Sequence, residues 1–326
     1  MGDYLGHAHD LSRIRTDASV SFGPKLGMRG RLLEEIGAIR TERKLTSGRA
    51  SKLRGSVTWV DTGLNGRICR GAMNAFTARQ YYETTDEVIP GSNIDESLEF
   101  LTAVVSNHET RSLPILPEAR KPVIVYTDAS AEGDRVRIGA MVIPREGPIE
   151  VIVYDPPPEV IKRWGAQDAI VNQAELHAAP IVACTVPETV RGEDVVWFID
   201  NAAAESALVK AGSPTQTMCK IALVATAALA AVRARTWYEH VKSEDNPADV
   251  LSRAGLEDFA VQAAIKAGKY VVRQPVEPPE EAKLDYSYWW RRSSDMDAPG
   301  AAQEMREERG RGGDSPIPAG LGLSRG

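Results

Sequence analysis

Four carboxylates stand where the local pattern calls for something else. Asp128 shares a strand face with Ile124 and Tyr126, and Glu175 shares a helix face with Ala179 and Val182, at i+4 and i+7. Asp200 closes the apolar run VVWFI (195–199), and Asp249 falls in the first turn of a helix if Asn246 caps it and Pro247 is its first residue. A buried carboxylate without a partner is costly, and acids brought together raise one another's pKa. One such acid has an ordinary explanation as a cap or a dipole-favoured helix residue. Four of them, each at the end or on the core face of an element, call for a shared partner. A divalent cation would serve: Mg²⁺ prefers oxygen ligands and is held by a few carboxylates together with water and substrate phosphate.

The elements that must carry these acids lie within residues 121–260. VIVYTDAS (123–130), VRIGAMVI (136–143) and IEVIVY (149–154) read as strands, with Glu132-Gly133-Asp134 turning between the first two. Asn172–Val186 reads as a helix in which Pro180 lacks an N–H to give. Val195–Asp200 is a buried strand, followed by a short helix stopping at Gly212. Pro214 opens the next helix, whose core stripe is Met218, Ile221, Ala225, Leu229 and Val232. Arg235–Val241 is a fifth strand, and Pro247 starts a final helix. This succession predicts an α/β domain with a five-stranded mixed sheet flanked by helices.

Around that domain the rhythm changes. Residues 1–24 show no periodicity. Residues 25–112 predict a small helical region, with helices over 28–44, 48–58, 68–81 and 95–106, and the prolines of 113–120 predict an extended linker. Residues 25–80 hold twelve Lys or Arg against four acids, a local excess that could neutralise phosphates or form a solvated face. Residues 261–326 predict a C-terminal extension, mostly disordered from Val276 onward. Within it YSYWWRR (286–292) and RGRGG (309–313) could touch single-stranded nucleic acid, or the aromatics could dock on the chain's own domain.

Composition narrows the classes. The 326 residues are 43% hydrophobic and 26% charged, the proportions of a soluble globular protein. No apolar run approaches the length of a membrane span, and the start lacks the features of a signal peptide, so no membrane partner is expected. Cys69, Cys184 and Cys219 are far apart and odd in number, which predicts reduced thiols and an intracellular protein, cytoplasmic or nuclear. HAHD (7–10) resembles a metal-ligand cluster but has no partner acids nearby in sequence.

Order and context add a resemblance. Tyr126-Thr127-Asp128-Ala129-Ser130, Gln173-Ala174-Glu175-Leu176, Ile199-Asp200-Asn201 and Asn246-Pro247-Ala248-Asp249-Val250-Leu251-Ser252-Arg253 are similar, in order, to the catalytic motifs of the type 1 ribonuclease H family. The resemblance implies a ribonuclease H-like fold and hydrolysis of the RNA strand of an RNA/DNA hybrid. It implies two Mg²⁺ ions, with Mn²⁺ as a substitute, roughly 4 Å apart. Asp128 would bridge both ions, Glu175 and Asp200 would hold the leaving-group side, and Asp249 the side that activates water. Ser130 and Asn201 become candidate substrate contacts. Two departures stand out: the loop Val241–Asp245 lacks the histidine of many cellular members, and no basic protrusion lies between Asp200 and Asp249. His240, on the preceding strand, is read as structural.

Upstream, Arg49-Ala50-Ser51-Lys52-Leu53-Arg54-Gly55-Ser56-Val57-Thr58-Trp59 and Gly66-Arg67-Ile68-Cys69-Arg70 resemble the thumb and connection region of retroelement reverse transcriptases. Arg49, Lys52 and Arg54 would then grip the hybrid, and the polymerase part of a reverse transcriptase would be a partner. No Tyr-x-Asp-Asp occurs in the chain, so it is expected to be the C-terminal part of such a polyprotein and not to synthesise DNA. The alternative is a catalytically silent nucleic-acid-binding relic. An exonuclease of this fold would want an acid at position 130, where Ser130 stands, and an integrase would lack the helix glutamate.

Overall fold

A computed structural model describes residues 2–4, 7–64, 68–107, 111–115, 120–133, 135–164, 170–280 and 285–296. RGRGG (309–313), Gly66, Arg67, Leu116, Pro117 and the hairpin residue Asp134 lie outside the described residues.

The first departure from the sequence reading is at the N-terminus. Strands β1 (Gly2–Tyr4), β2 (His7–Asp10) and β3 (Ser19–Pro24) form an antiparallel sheet with β4 (Arg111–Pro114), in the order β1-β2-β3-β4. A short helix α1 (Ile14–Asp17) joins β2 to β3. Only β3 is long enough to alternate, with Val20 and Phe22 between Ser19, Ser21 and Gly23; β1, β2 and β4 have three or four residues, and β4 straddles the end of the predicted helical region and the start of the predicted linker. Its Pro114 pairs with Ser19 at the end of an edge strand, where a missing N–H is tolerated.

The helical region is present as α2 (Leu26–Glu42), α3 (Ser47–Thr62), α4 (Met73–Tyr81) and α5 (Asn93–Asn107). Thr46 caps α3 by accepting from the Arg49 N–H, and Leu53, Val57 and Val60 line its buried face at helical spacing. These helices share one apolar core with the second sheet. Gly71 and Gly212 make the contact tight: a Cβ on Gly71 would lie 1.5 Å from the Ala211 carbonyl oxygen. Only glycine permits this backbone-on-backbone crossing.

The second sheet consists of β5 (Val123–Glu132), β6 (Arg135–Ile143), β7 (Ile149–Tyr154), β8 (Asp194–Ile199), β9 (Arg235–His240) and β10 (Tyr270–Val272), ordered β10-β7-β6-β5-β8-β9. It is mixed: β5, β6 and β7 are antiparallel neighbours, while β8, β9 and β10 pair in parallel. The sheet has six strands, not five. The extra strand is three residues long and is contributed by the C-terminal extension, so no period announces it. Helices α6 (Pro158–Trp164), α7 (Ile170–Thr185) and α8 (Pro187–Val190) precede β8, and α9 (Ala202–Lys210) and α10 (Gln216–Ala231) precede β9. Helices α11 (Asp249–Arg253) and α12 (Phe259–Lys266) follow β9, so the helix carrying Asp249 is not the last.

The C-terminal extension is also more structured than expected. Residues 270–280 run along the domain, and Tyr288–Met296 is a helix with Trp289 and Trp290 buried, as is Tyr286 just before it. The aromatics of YSYWWRR therefore pack on the chain's own core, the Tyr286 ring edge-on to Phe100 of α5. Cys69, Cys184 and Cys219 are not joined in any disulfide among the described residues. Among the described residues no helix is long and apolar enough to cross a membrane.

Candidate metal centre

Three of the four predicted acids meet. Asp128, Glu175 and Asp200 offer ligand atoms that all lie within 4.8 Å of one another. Each arrives on its own element: Asp128 on the central strand β5, Glu175 on α7, Asp200 just past the end of β8. Parallel pairing of β5 with β8, ending at Thr127 opposite Ile199, puts Asp128 and Asp200 side by side at one end of the sheet. Asn201 then turns the chain, its Oδ1 accepting from the Ala203 and Ala204 N–H groups as the cap of α9.

Asp128 and Glu175 are buried and Asp200 is half-buried. One carboxylate oxygen of Glu175 accepts from the Ala129 N–H at 2.8 Å. Its other oxygen, Oε2, is buried with no hydrogen-bond partner among the described residues. Burial, reinforced by Asp128 and Asp200, raises the Glu175 carboxyl well above the usual range. Burial likewise pushes Asp128 up to about 6; a Ser252 hydrogen bond opposes this, and the charges of Asp200 and Asp249 add to it. Two buried carboxylates beside a third, one with an oxygen left over, have the chemistry of a hard-cation site. Asp128, Glu175 and Asp200 fit a divalent metal.

The fourth acid stands apart from that group. Asp249 is half-buried, and its Oδ1 accepts from Arg253 Nε at 2.7 Å, one turn along α11. It contributes charge near Asp128 without joining the three. The expected cap also differs. Asn246 does not cap the Asp249 helix, which starts after Ala248. Instead its amide donates to the Thr127 carbonyl at 2.9 Å and its Oδ1 accepts from the Ala248 N–H, tying this loop to the strand that bears Asp128.

Gly139 explains how α11 comes so close. It lies opposite Asp128 in the β5–β6 register. A Cβ there would stand 2.6 Å from the Ser252 nitrogen and 2.8 Å from the Ala248 carbonyl oxygen. With glycine at that point α11 rests directly on β6, and the Ser252 hydroxyl reaches Asp128 Oδ2. Ser252 and Asn172 are residues the sequence reading missed. Asn172 sits one turn before Glu175 on α7 and accepts from Asn201 Nδ2 at 2.7 Å. The i−3 spacing from Glu175, and for Ser252 the i+3 spacing from Asp249, were the available signals.

The expected substrate contacts divide. The Ser130 hydroxyl donates to the Ser252 carbonyl, and Asn201 is engaged as a cap, so both shape the site's edge. On α3, Arg49 is held by Glu35 at 2.7 Å and Glu42 at 2.5 Å. Arg54 donates to Thr77 and lies over the Tyr81 ring, while Lys52 is exposed beside Arg31 and Glu35 in an open groove between α2 and α3. His240 is half exposed, 3.6 Å from Glu205. His7 of HAHD faces the Trp59 carbonyl and Thr62 hydroxyl, away from any acidic cluster among the described residues.

No protein-family profile and no curated protein matches the chain. Among solved structures it is similar to RNase H1 from the halophilic archaeon Halobacterium salinarum NRC-1, with 19% sequence identity and a TM-score of 0.32. The match covers 42% of this chain and 98% of that one.

Proposed function

We propose that this chain is a metal-dependent nuclease that hydrolyses the RNA strand of an RNA/DNA hybrid. The observation that carries the reading is the convergence of Asp128, Glu175 and Asp200 from three separate elements, two of them buried and mutually repulsive. Such a cluster is stable only with a cation or with protons, and the raised pKa values of Asp128 and Glu175 express that choice. These three residues would hold the metal, Mg²⁺ or in its place Mn²⁺. When bound, such an ion polarises a phosphoryl oxygen and lowers the pKa of water.

The protein's own part is arrangement. Ala129 fixes one oxygen of Glu175 and Ser252 one oxygen of Asp128, while Asp128, Glu175 and Asp200 keep ligand atoms within 4.8 Å of one another. Asp249, paired with Arg253, stands beside this centre as the candidate for orienting a second ion or the attacking water. A hybrid offers 2′-hydroxyls and phosphates across a wide minor groove, and Ser130, Asn201 and Asn172 edge the site where such groups would be met. Lys52 and Arg54 of α3 are the candidate phosphate contacts further out.

The wider setting we infer is the nuclease end of a retroelement reverse transcriptase, with a separate polymerase part as partner. It is supported by the thumb-like sequence of residues 49–70 ahead of the acidic motifs and by the Asn246–Arg253 motif form. The substrate is tested by offering one sequence as hybrid, duplex RNA, single-stranded RNA and duplex DNA, each with Mg²⁺. Cleavage confined to the RNA of the hybrid is expected. Equal cutting of duplex DNA would overturn the substrate assignment, and tight hybrid binding without cleavage in Mg²⁺ or Mn²⁺ would favour a silent binding relic.

A further inference from the structure

We propose that Glu277, from the C-terminal extension, is a positioning residue for the metal centre: it locks helix α7 in rotation through His177, and so aims Glu175 at Asp128. The proposal rests on the reading of Asp128, Glu175 and Asp200 as a divalent-metal site.

Helix α7 has a weak point just beyond its ligand. Pro180 lies inside the helix and has no N–H, so the Leu176 carbonyl lacks its usual i+4 donor. The turn bearing Glu175 is therefore held by one fewer backbone bond on its C-terminal side. Residues two apart on a helix point about 200° apart, so His177 faces away from the side on which Glu175 meets Asp128. A contact at His177 consequently resists rotation of the whole turn.

That contact is built from a distant segment. His177 is buried, with its Nε2 3.0 Å from Glu277 Oε2, and the Tyr154 hydroxyl donates to the same oxygen at 2.5 Å. The Trp164 ring packs edge-on against His177, with centroids 5.4 Å apart. Glu277 is itself set in place by its neighbours: Arg273 pairs with the buried Glu150, and the Val276 N–H donates to Thr185 at the far end of α7. The segment thus grips α7 at two points, one on either side of Pro180. Nothing in the local sequence of residues 270–280 requires a glutamate at 277; its partners are 123 and 100 residues away.

The test is Mn²⁺ binding by the full chain, followed by the electron paramagnetic resonance of free Mn²⁺, for the wild type, Glu277→Ala and Glu277→Gln. Circular dichroism and the melting temperature are recorded alongside. Loss of a residue that orients a metal ligand costs about ten-fold or more in metal affinity. Glu277→Ala is therefore expected to weaken Mn²⁺ binding about ten-fold. Glu277→Gln, which keeps an acceptor oxygen for Tyr154, should recover most of that loss. A Glu277→Ala protein that melts earlier yet binds Mn²⁺ as the wild type does would reduce Glu277 to a structural tie and overturn the proposal. If that variant does not fold, Tyr154→Phe removes a single donor to Glu277 and is judged by the same criterion. Absence of Mn²⁺ binding by the wild type would overturn the metal reading itself, a result distinct from an unchanged affinity in the variants.

Discussion

The Ser252 hydroxyl donates to Oδ2 of Asp128 across 124 residues of sequence, joining the last acidic motif to the first. This bond holds the Asp128 carboxyl down against burial and against the charges of Asp200 and Asp249. Ser252→Ala removes it without adding bulk. The expected outcome is about ten-fold weaker divalent-metal affinity with the fold retained. The acid limb of the pH–rate profile should also move to higher pH, because the bond that favours the ionised form is gone. Metal titrations and a pH series on the variant check both.

Asp128 also sets a pH dependence of stability whose sign can be worked out. Its carboxyl is raised from 3.8 to about 6 in the metal-free fold, so the native state binds more protons than the unfolded chain between those values. Stability from this group is present below about pH 4 and is lost as pH rises through about 6. In EDTA, the melting temperature of the wild type relative to Asp128→Asn should therefore fall over that window. Excess Mg²⁺ should reverse the trend, since the cation needs the ionised carboxylates.

Glu175→Gln separates stability from activity. An amide cannot ionise, so it escapes the burial cost and the repulsion from Asp128 that raise the Glu175 carboxyl, and the metal-free variant should be at least as stable as the wild type. The Ala129 N–H keeps an acceptor in the amide oxygen. Metal-dependent activity should nonetheless drop by about 10³-fold, the order expected when several kcal/mol of charge stabilisation is withdrawn. Denaturant melts in EDTA and turnover in Mg²⁺ provide the two readouts.

Arg49 and Lys52 lie three residues apart on α3 but should respond differently. Arg49 is committed to Glu35 and Glu42, so Arg49→Ala is expected to cost stability, by about 0.5–1 kcal/mol, more than hybrid affinity. Lys52 is exposed, and Lys52→Ala should weaken hybrid binding and reduce the slope of log affinity against log salt by about one. Binding isotherms at several salt concentrations distinguish the two.

Trp289 should matter to the whole fold. It is 3% exposed, in a segment whose composition suggests disorder. Trp289→Ala is expected to destabilise the protein by about 3–5 kcal/mol, measured by urea unfolding.

The contrast between these residues shows what the sequence made legible. Asp128, Glu175 and Asp200 could be found because each is a charge inside an apolar pattern, and burying such a charge demands a reason. The strands and helices around them followed from periodicity, and so did the mixed α/β character of the sheet. Strand β10 was not legible: three residues carry no period, and its partner β7 is over a hundred residues earlier. Strands β1, β2 and β4, of three or four residues, escaped notice for the same reason, while the alternation of the six-residue β3 is confined to Val20 and Phe22. Tyr286, Trp289 and Trp290 sit among charged and proline-rich neighbours, so composition suggested a tail where tertiary packing makes a core. Ser252 and Asn172 carry ordinary polar side chains whose role exists only once α11 and α9 are placed. Asn246 was seen as part of a motif but assigned to the wrong bond. Its amide reaches a strand that no local rule connects to it.

The most direct test of the metal-dependent nuclease is a cleavage assay on an RNA/DNA hybrid labelled in its RNA strand. Wild type, Asp128→Asn and Asp200→Asn are compared in Mg²⁺ and in EDTA. The expected result is cleavage by the wild type in Mg²⁺ alone and none by either variant. Cleavage that persists in EDTA, or in Asp128→Asn with Mg²⁺, would contradict the assignment of the chemistry to Asp128, Glu175 and Asp200.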